Sequence, residues 1–467
     1  MTEPFTLPQL GEPVLSTLNE DGSRRWIHPK VAKGSLWRAR LFLAWGLIAI
    51  FTALPWLRIG GKPLILLDLM TRNFTFFGTT FRPTETLLLA LLMLSIFITI
   101  FLLTALYGRV WCGWGCPQTV YMEFVYRPIE RLVLGHAYGK RTGIPAVRRI
   151  VLWMIYLVVS AHLANTFLAY FVGTDRLVGW TLRSPAEHPV AFVVFAVTVI
   201  AMMFDFTFFR EQMCTIVCPY GRFQSALLDR DSLIVGYNRD RGEPRAAAAQ
   251  RRELVSQGGL VGDCIACTKC VQVCPTGIDI REGLQLECVA CAQCIDACDE
   301  VMDKIGRPRG LVAYTTQRKQ QGRERKGSRY RPWIYPLLLA ATVTGLVTQL
   351  AERPPALIEQ ARLAGANFTA TTGGMISSPV RILIENHTND AQTYTVVTAG
   401  DVSVAGESAN VVVPASGAGT LDFSVLSQPN AFVHGKLEGT VVVTDSSGYT
   451  KKVSISILGP FTTGGKK

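Results

Sequence analysis

Five apolar runs in this chain are each long enough to cross a lipid bilayer as a single helix. A bilayer core of ~30 Å needs about 20 helical residues of low charge, because a helix satisfies its own backbone hydrogen bonds where water is absent. The second run includes LLLALLMLSIFITIFLLTAL, which has no charged residue. Five such runs favour a membrane protein over a soluble protein with buried helices. The predicted spans are Leu41–Leu57, Thr86–Tyr107, Ile150–Val172, Val190–Phe209 and Trp333–Leu350.

Lysine and arginine in the loops predict the orientation of these spans, since both residues resist export across the membrane. Basic residues are dense before the first span, between the second and third, and before the fifth. An N-terminus inside the cell places all three stretches in the cytoplasm and the C-terminal tail in the periplasm. We therefore expect a multi-pass protein of the bacterial inner membrane. The net charge of +12 then indicates contact with anionic membrane lipid and no nucleic-acid partner.

A cysteine pattern that occurs twice between the fourth and fifth spans is the strongest chemical signal. The spacing C-x-x-C-x-x-C-x-x-x-C begins at Cys264 and again at Cys288. In bacterial two-cluster ferredoxins with this spacing, three close thiolates hold one 4Fe-4S cluster and the fourth reaches the other. Zinc ribbons, the competing interpretation, lack the doubled fourth cysteine. The predicted ligand quartets are Cys264, Cys267, Cys270 and Cys298 for cluster one, and Cys288, Cys291, Cys294 and Cys274 for cluster two.

The remaining four of the twelve cysteines form two matched C-x-x-x-C-P pairs, just past the second and fourth spans. Proline disfavours a helical conformation in the residue before it, so each pair should straddle a helix end. Both spans cross in the same direction, and the two pairs can therefore meet as one four-thiolate site. Copper or a further metal centre is the predicted occupant, and buried small apolar side chains are the alternative. The candidate catalytic and metal-binding residues are Cys112, Cys116, Cys214 and Cys218.

The tail of the chain changes to alternating apolar and polar residues. Runs such as VRILIEN, GTVVVTD and KKVSISIL, separated by turn-forming residues, predict an antiparallel immunoglobulin-like sandwich of roughly seven strands. The tail contains no cysteine and no catalytic constellation. We expect it to be a module that docks a partner.

These signals predict a membrane α-helical protein with a ferredoxin-like insert and a C-terminal all-β domain. The sequence contains no nucleotide-binding loop and no flavin fingerprint, so the electron donor is expected to be a separate, unidentified molecule. The predicted segments are a cytoplasmic N-terminal segment 1–37, four transmembrane helices with both C-x-x-x-C-P pairs 38–210, a cytoplasmic two-cluster ferredoxin-like domain 211–331, a fifth transmembrane helix 332–352, and a periplasmic immunoglobulin-like domain 353–467.

The stretch CIACTKCVQVCPTGIDIREGLQLECVACAQCIDACDEVM from Cys264 to Met302, with the two C-x-x-x-C-P pairs, closely resembles the CcoG family of cytochrome c oxidase accessory proteins, also called FixG or RdxA. The resemblance implies cupric reductase activity that supplies Cu(I) for assembly of cbb3-type cytochrome c oxidase. It implies that the eight ferredoxin cysteines are cluster ligands and that the four membrane cysteines handle copper. Oxidase-assembly or copper-transport proteins are the implied partners.

Two other functions remain open from the sequence. The C-x-x-x-C-P pairs with a ferredoxin module also resemble NapH-type quinol dehydrogenases, which pass electrons to a partner. A non-redox assembly scaffold is the third candidate. The sequence leaves open whether the chain forms a homodimer, and it does not assign roles to His162 and Asp205, two ionisable residues inside the predicted spans.

Overall fold

Five helices in the structure, a computed structural model, are long and apolar enough to cross a membrane. The structure describes residues 16–19, 21–140, 143–322, 331–361, 368–371, 373–399, 403–404 and 410–461. Within these ranges the five predicted spans are confirmed, with small shifts of their ends. Spans 1 to 5 are Ser35–Trp56, Thr86–Tyr107, Ala146–Val172, Pro189–Phe209 and Pro332–Ala351.

Shorter helices follow spans 2 and 4, and wider π-helical turns interrupt them. The π-helical turns are Met122–Tyr126, Asp205–Phe209 and Met213–Val217, and such turns are frequent at functional sites. The α-helices are α1 (Ser35–Ala53), α2 (Thr86–Tyr107), α3 (Val110–Trp114), α4 (Pro117–Tyr121), α5 (Arg127–Leu134), α6 (Ala146–Val172), α7 (Thr174–Thr181), α8 (Pro189–Phe204), α9 (Pro219–Leu227), α10 (Arg239–Gly242), α11 (Ala248–Ser256), α12 (Lys269–Gln272), α13 (Gln293–Lys304), α14 (Gln317–Gln320) and α15 (Arg331–Ala351).

Glycine ends the second span. Gly108 follows α2 with φ of 59°, a conformation that glycine adopts at little cost and that commonly stops a helix. A side chain at this position would also collide with the backbone, since a Cβ atom would lie 2.2 Å from the carbonyl oxygen of Leu233. The turn at Gly108 therefore sends the chain from the membrane directly into α3 and against the segment that precedes the ferredoxin motifs.

Short strands fill the loop between spans 1 and 2 and bracket the ferredoxin motifs. Arg58 in this loop pairs with Asp175 of α7, and Asp68 lies 3.0 Å from Arg176 of the same helix. These pairs join the loop to α7. The strands are β1 (Arg58–Ile59), β2 (Lys62–Pro63), β3 (Ile65–Asp68), β4 (Asn73–Phe76), β5 (Thr79–Phe81), β6 (Ile234–Tyr237) and β7 (Val312–Thr315).

The ferredoxin-like module lies between β6 and β7. These two strands are far apart in sequence but pair antiparallel, with Ile234 opposite Thr315 and Tyr237 opposite Val312. Helices α12 and α13 each carry the third cysteine of one motif and lie side by side. The module's apolar core includes Val235, Ile278 and Leu311, which are nearly inaccessible to solvent. The strand pair thus closes the segment that holds both motifs.

The chain divides into two compact units, Met1–Leu346 and Val347–Lys467. The second unit contains two antiparallel sheets, with strand orders β12-β14-β10-β8 and β13-β11-β15-β16, and β9 pairs with β10. Alternate residues of β10 and β16 face the core, which confirms the predicted immunoglobulin-like sandwich. Its strands are β8 (Ala356–Ala361), β9 (Thr369–Ala370), β10 (Ile376–Asn386), β11 (Gln392–Ala399), β12 (Ser403–Val404), β13 (Asn410–Val413), β14 (Ala418–Ser427), β15 (Lys436–Asp445) and β16 (Thr450–Leu458).

Substitution Ile384→Ala should destabilise this second unit by about 2–5 kcal/mol, because Ile384 is 0% exposed in its core and truncation leaves a cavity. Val412→Thr is the control, since Val412 is 66% exposed and should change stability by less than about 0.5 kcal/mol. Hydrogen exchange of the strand amides in the intact protein measures both effects. Equal effects of the two substitutions would contradict the assigned core.

Candidate electron-transfer site

The first ferredoxin cavity is enclosed by β6, β7, α12 and α13. It has about 380 Å³ of space that atoms do not fill, part of it open to solvent, and apolar side chains such as Ile265 and Leu311 line it. All four cysteines predicted to hold cluster one line this cavity. They are Cys264, Cys267, Cys270 and Cys298.

A second cavity of about 340 Å³ lies beside the first, and Cys270 lines both. Val235, Ile278 and Ile280 form its apolar wall. The last cysteine of the first motif lines this cavity together with the first three of the second motif, so each motif contributes to both cavities. All four cysteines predicted for cluster two line this cavity, namely Cys274, Cys288, Cys291 and Cys294.

The backbone between these cysteines has a conformation suited to an anionic cluster. Ala266 and Thr268 have φ of 54° and 56°, and Ala290 and Ala292, at the same positions of the second motif, have φ of 54° and 61°. Residues other than glycine adopt this left-handed conformation at a cost, and such strain is concentrated at functional sites. Alternating left- and right-handed residues turn successive N–H groups toward one point, as in many iron–sulfur sites. The loops therefore fit two iron–sulfur clusters.

Burial disfavours the thiolate form of several cavity cysteines in the absence of metal. Burial raises the pKa of Cys270 and of Cys288 to about 11, and the pKa of Cys298 to about 12. Backbone hydrogen bonding from Ala290 opposes this shift at Cys288. Cluster ligands are thiolates, so assembly of the clusters must displace these protons.

The two membrane cysteine pairs have the same local structure. Cys112 lies in α3 and Cys214 in a π-helical turn, whereas Cys116 and Cys218 are extended residues immediately before a proline that begins a helix. In each pair the second cysteine donates its backbone N–H to the carbonyl oxygen five residues earlier, at 2.9 Å for Cys116 and 2.8 Å for Cys218. This matches the prediction that each pair straddles a helix end.

The four membrane thiols are close enough to influence one another electrostatically. Burial raises the pKa of Cys112 to about 11, and Cys116 and Cys218 raise it further. Burial raises the pKa of Cys214 to about 12, to which the other three thiols contribute. In the described part of the chain, no three histidine, cysteine, aspartate or glutamate side chains converge closely enough to hold one metal ion. The thiols thus form a group that is looser than a preformed single-ion site.

The membrane thiols contact the loop that lines the second cavity. Cys112 packs against Val289 and Cys291, and a Cβ atom on Gly113 would lie 2.5 Å from the carbonyl oxygen of Val289 and 2.7 Å from the Cα of Cys291. Only glycine permits this approach of the two backbones. Cys112 also donates from Sγ to the buried Gln224, at 2.9 Å from Oε1.

Two buried arginines flank this contact, and sequence reasoning did not identify either as a site residue. Arg109 donates to the carbonyl oxygen of Leu286, and its charge opposes the effect of burial on the pKa of Cys112 and Cys288. Arg40 donates from Nε to the carbonyl oxygen of Gly113 at 2.9 Å. Both residues lie in basic stretches that predict only membrane orientation. The one hint in the sequence is that each of these two arginines lies at the edge of an apolar run.

Charged groups fasten the ferredoxin-like module to the helix ends. Asp296 of α13 accepts hydrogen bonds from the backbone N–H groups of Leu36 and Trp37, at 3.2 and 2.7 Å, and a carboxylate is favourable at the start of a helix such as α1. Arg127 pairs with Glu123 and lies 3.2 Å from Glu211.

Models of known protein families match three parts of the chain. A 4Fe-4S dicluster domain matches residues 209–317, which include both ferredoxin motifs. A 4Fe-4S binding domain matches residues 89–140, which include Cys112 and Cys116. The model described as the IG-like fold at the C-terminal of FixG matches residues 346–460.

Curated relatives extend the match over most of the chain. Protein RdxB of Cereibacter sphaeroides is 34% identical over 84% of this chain and 87% of its own length. The chain belongs to the FixG/Rdx family. Protein RdxA of the same organism is 31% identical over 81% of this FixG/Rdx chain and 83% of its own length. Nitrogen fixation protein FixG of Rhizobium meliloti is 37% identical over 63% of the chain and 57% of its own length.

Family membership confirms the resemblance predicted from the cysteine motifs. This FixG/Rdx protein is a membrane iron–sulfur protein of the oxidoreductase type, and its dicluster domain supports two 4Fe-4S clusters. Its apolar spans fit the inner membrane.

Paired substitutions should reveal which cysteines share a cluster. Cys264→Ser is expected to remove about half of the bound iron, because a 4Fe-4S cluster needs all four ligands. Adding Cys298→Ser should remove little more, since both residues line the first cavity. Adding Cys274→Ser should instead remove nearly all of the iron, since Cys274 lines the second. Iron and sulfide analysis of the purified variants measures this, and the reverse order would refute crossed ligation.

Proposed function

We propose that this chain passes electrons from its ferredoxin-like module to Cu(II) at the membrane thiols and supplies the resulting Cu(I) for assembly of cbb3-type cytochrome c oxidase. The observation that carries the proposal is the packing of Cys112 and Gly113 against the loop from Val289 to Cys291. That contact joins the lining of the second cavity to the four-thiol group without an intervening layer of protein.

In this proposal the two cysteine quartets that line the cavities are the cluster ligands. The left-handed residues Ala290 and Ala292, like Ala266 and Thr268 in the first motif, would give each loop the backbone conformation that suits an anionic cluster. When bound, the clusters supply single electrons. Apolar side chains such as Val235 and Leu311 form much of the lining of the two cavities.

The membrane thiols suit copper in its reduced state. Cu(II) prefers nitrogen and oxygen ligands, whereas Cu(I) prefers thiolate and thioether sulfur, so a group of four thiols favours one-electron reduction of the ion. Each thiol that binds copper must lose a proton. Arg109 assists this at Cys112, because its positive charge favours the thiolate.

Several partners follow from this proposal. The electron donor is a separate molecule, and Cu(II) is the substrate. Oxidase-assembly or copper-transport proteins receive the product, and the C-terminal immunoglobulin-like unit is the module that docks them. Anionic lipid surrounds the basic ends of the spans.

Reduced protein should convert Cu(II) to Cu(I) in an amount equal to the electrons stored in its clusters. The protein is purified anaerobically in detergent, reduced with dithionite, freed of excess reductant and mixed with Cu(II) and a Cu(I)-specific chelator. Replacing Cys112, Cys116, Cys214 and Cys218 together by Ala should slow the reaction by at least about 10-fold, the scale on which lost metal ligands act.

Met154→Leu is the matched control, since Met154 is an exposed sulfur-bearing side chain on span 3 and should leave the rate unchanged. Equally fast reoxidation without the four thiols would show adventitious chemistry. If copper does not reoxidise the clusters but a quinol reduces the oxidised ones, the protein is a quinol dehydrogenase. Absence of both reactions would favour a scaffold.

In this proposal the N-terminus and the ferredoxin-like module lie in the cytoplasm, and the C-terminal unit lies in the periplasm. Epitopes inserted after Gly258 and after Gly448, two glycines with open space around them, test this orientation. Antibody should reach the epitope after Gly448 on intact spheroplasts and the epitope after Gly258 only after lysis, because basic loops stay inside. The opposite pattern would overturn the proposed orientation.

A further inference from the structure

Arg40 is a fully buried cation in the first span. It is 0% exposed, although it lies in α1 among apolar residues. Its Nε donates to the carbonyl oxygen of Gly113. In the described part of the chain, neither Nη1 nor Nη2 has a hydrogen-bond partner. Burying an arginine in this way costs free energy, because its charge loses contact with water, unless an anion or a strong hydrogen-bond acceptor compensates the charge.

The residues around Arg40 point to the acceptor. Gly113, whose carbonyl oxygen accepts the hydrogen bond from Arg40, lies against the backbone of Cys291, since a Cβ atom on Gly113 would lie 2.7 Å from the Cα of that cysteine. Cys291 is also the group whose charge acts most strongly on Arg40, ahead of Tyr314 and Asp296. The carboxylate of Asp296 is already engaged by the backbone N–H groups of Leu36 and Trp37. Cys291 belongs to the quartet that lines the second cavity. Nη1 and Nη2 of Arg40 therefore have Cys291, a predicted ligand of cluster two, as their main electrostatic partner.

The position of Arg40 is fixed by its surroundings. Gly113 holds its Nε, and the ring of Phe124 lies 5.4 Å from the guanidinium carbon. Asp296 secures the start of α1. A guanidinium held on two sides, on a helix whose start is secured, loses little entropy when its remaining N–H groups form hydrogen bonds.

The first cavity also has an arginine beside its cysteines, Arg281, but the charge of that arginine is neutralised. Arg281 interacts with Cys270 and Cys264, but its Nε lies 2.8 and 3.1 Å from the two carboxylate oxygens of Asp279. That carboxylate neutralises Arg281. Arg40 has no salt-bridge partner among the described residues, and Arg109 adds a second positive charge near Cys288. The surroundings of the second cavity are thus the more positive of the two.

We propose that Arg40 donates hydrogen bonds from Nη1 and Nη2 to the sulfur of Cys291 and to the cluster that this residue holds, and so raises the reduction potential of cluster two above that of cluster one. A nearby positive charge stabilises the reduced, more negative state of a cluster. Electrons then move from cluster one toward cluster two, which adjoins the membrane thiols. The inference rests on the cluster ligands of the proposed function.

Substitution Arg40→Met tests the proposal, because methionine keeps much of the apolar stem and removes the charge. The potential of each cluster is measured by redox titration of the intact protein, followed by electron paramagnetic resonance. The two signals are assigned with the Cys264→Ser and Cys288→Ser variants. The cluster-two potential should fall by an amount equal to at least about a tenfold change in the equilibrium constant, or about 59 mV for one electron. The cluster-one potential should not change.

Two further variants separate charge from structure. Arg38→Met alters an exposed arginine of the same helix and should shift neither potential. Arg40→Lys keeps the charge without the planar fork and should give a smaller fall than Arg40→Met. An unchanged potential in Arg40→Met, or an equal fall in both Arg40 variants, would overturn the role of the charge. If the unaltered protein holds no clusters, the proposed function itself fails.

Discussion

The close approach of Gly113 to the loop from Val289 to Cys291 is the contact on which the site's arrangement depends. Because Gly113 has no side chain, the turn after span 2 lies directly against the loop that lines the second cavity. The same turn carries Cys112 and accepts the hydrogen bond from Arg40. A larger residue there would separate the membrane thiols from the ferredoxin-like module and move the arginine as well.

Burial of charge is the second constraint, and at Arg127 the structure meets it by pairing. Arg127 is 1% exposed and pairs with Glu123 and Glu211, and its Nη2 lies 3.3 Å from the carbonyl oxygen of Pro275, next to a cluster cysteine. Removal of one partner from such a buried pair typically costs about 3–5 kcal/mol. These pairs join the helix ends to one another, and the hydrogen bond to Pro275 joins them to the ferredoxin-like module.

Much of the fold was predictable because its signals are local. The length of the apolar runs predicted the five spans, and alternation predicted the β-sandwich. The proline after Cys116 and after Cys218 predicted an extended residue at each position. Arg40 was counted only as part of a basic, membrane-flanking stretch, since nothing near it in the sequence shows which group it faces. Gly113 between two cysteines likewise carried no readable meaning without its distant neighbour.

The sequence by itself determined that this chain enters a membrane, carries two ferredoxin motifs and ends in a β-sandwich. Each of these properties follows from residue type and spacing along a short stretch of chain. Only the tertiary structure decided that the four membrane thiols lie together, that Cys112 packs against the loop lining the second cavity and that Arg40 is buried against Gly113. These neighbours are far apart in sequence, and their meeting depends on the packing of whole helices, which is the sum of many weak contacts.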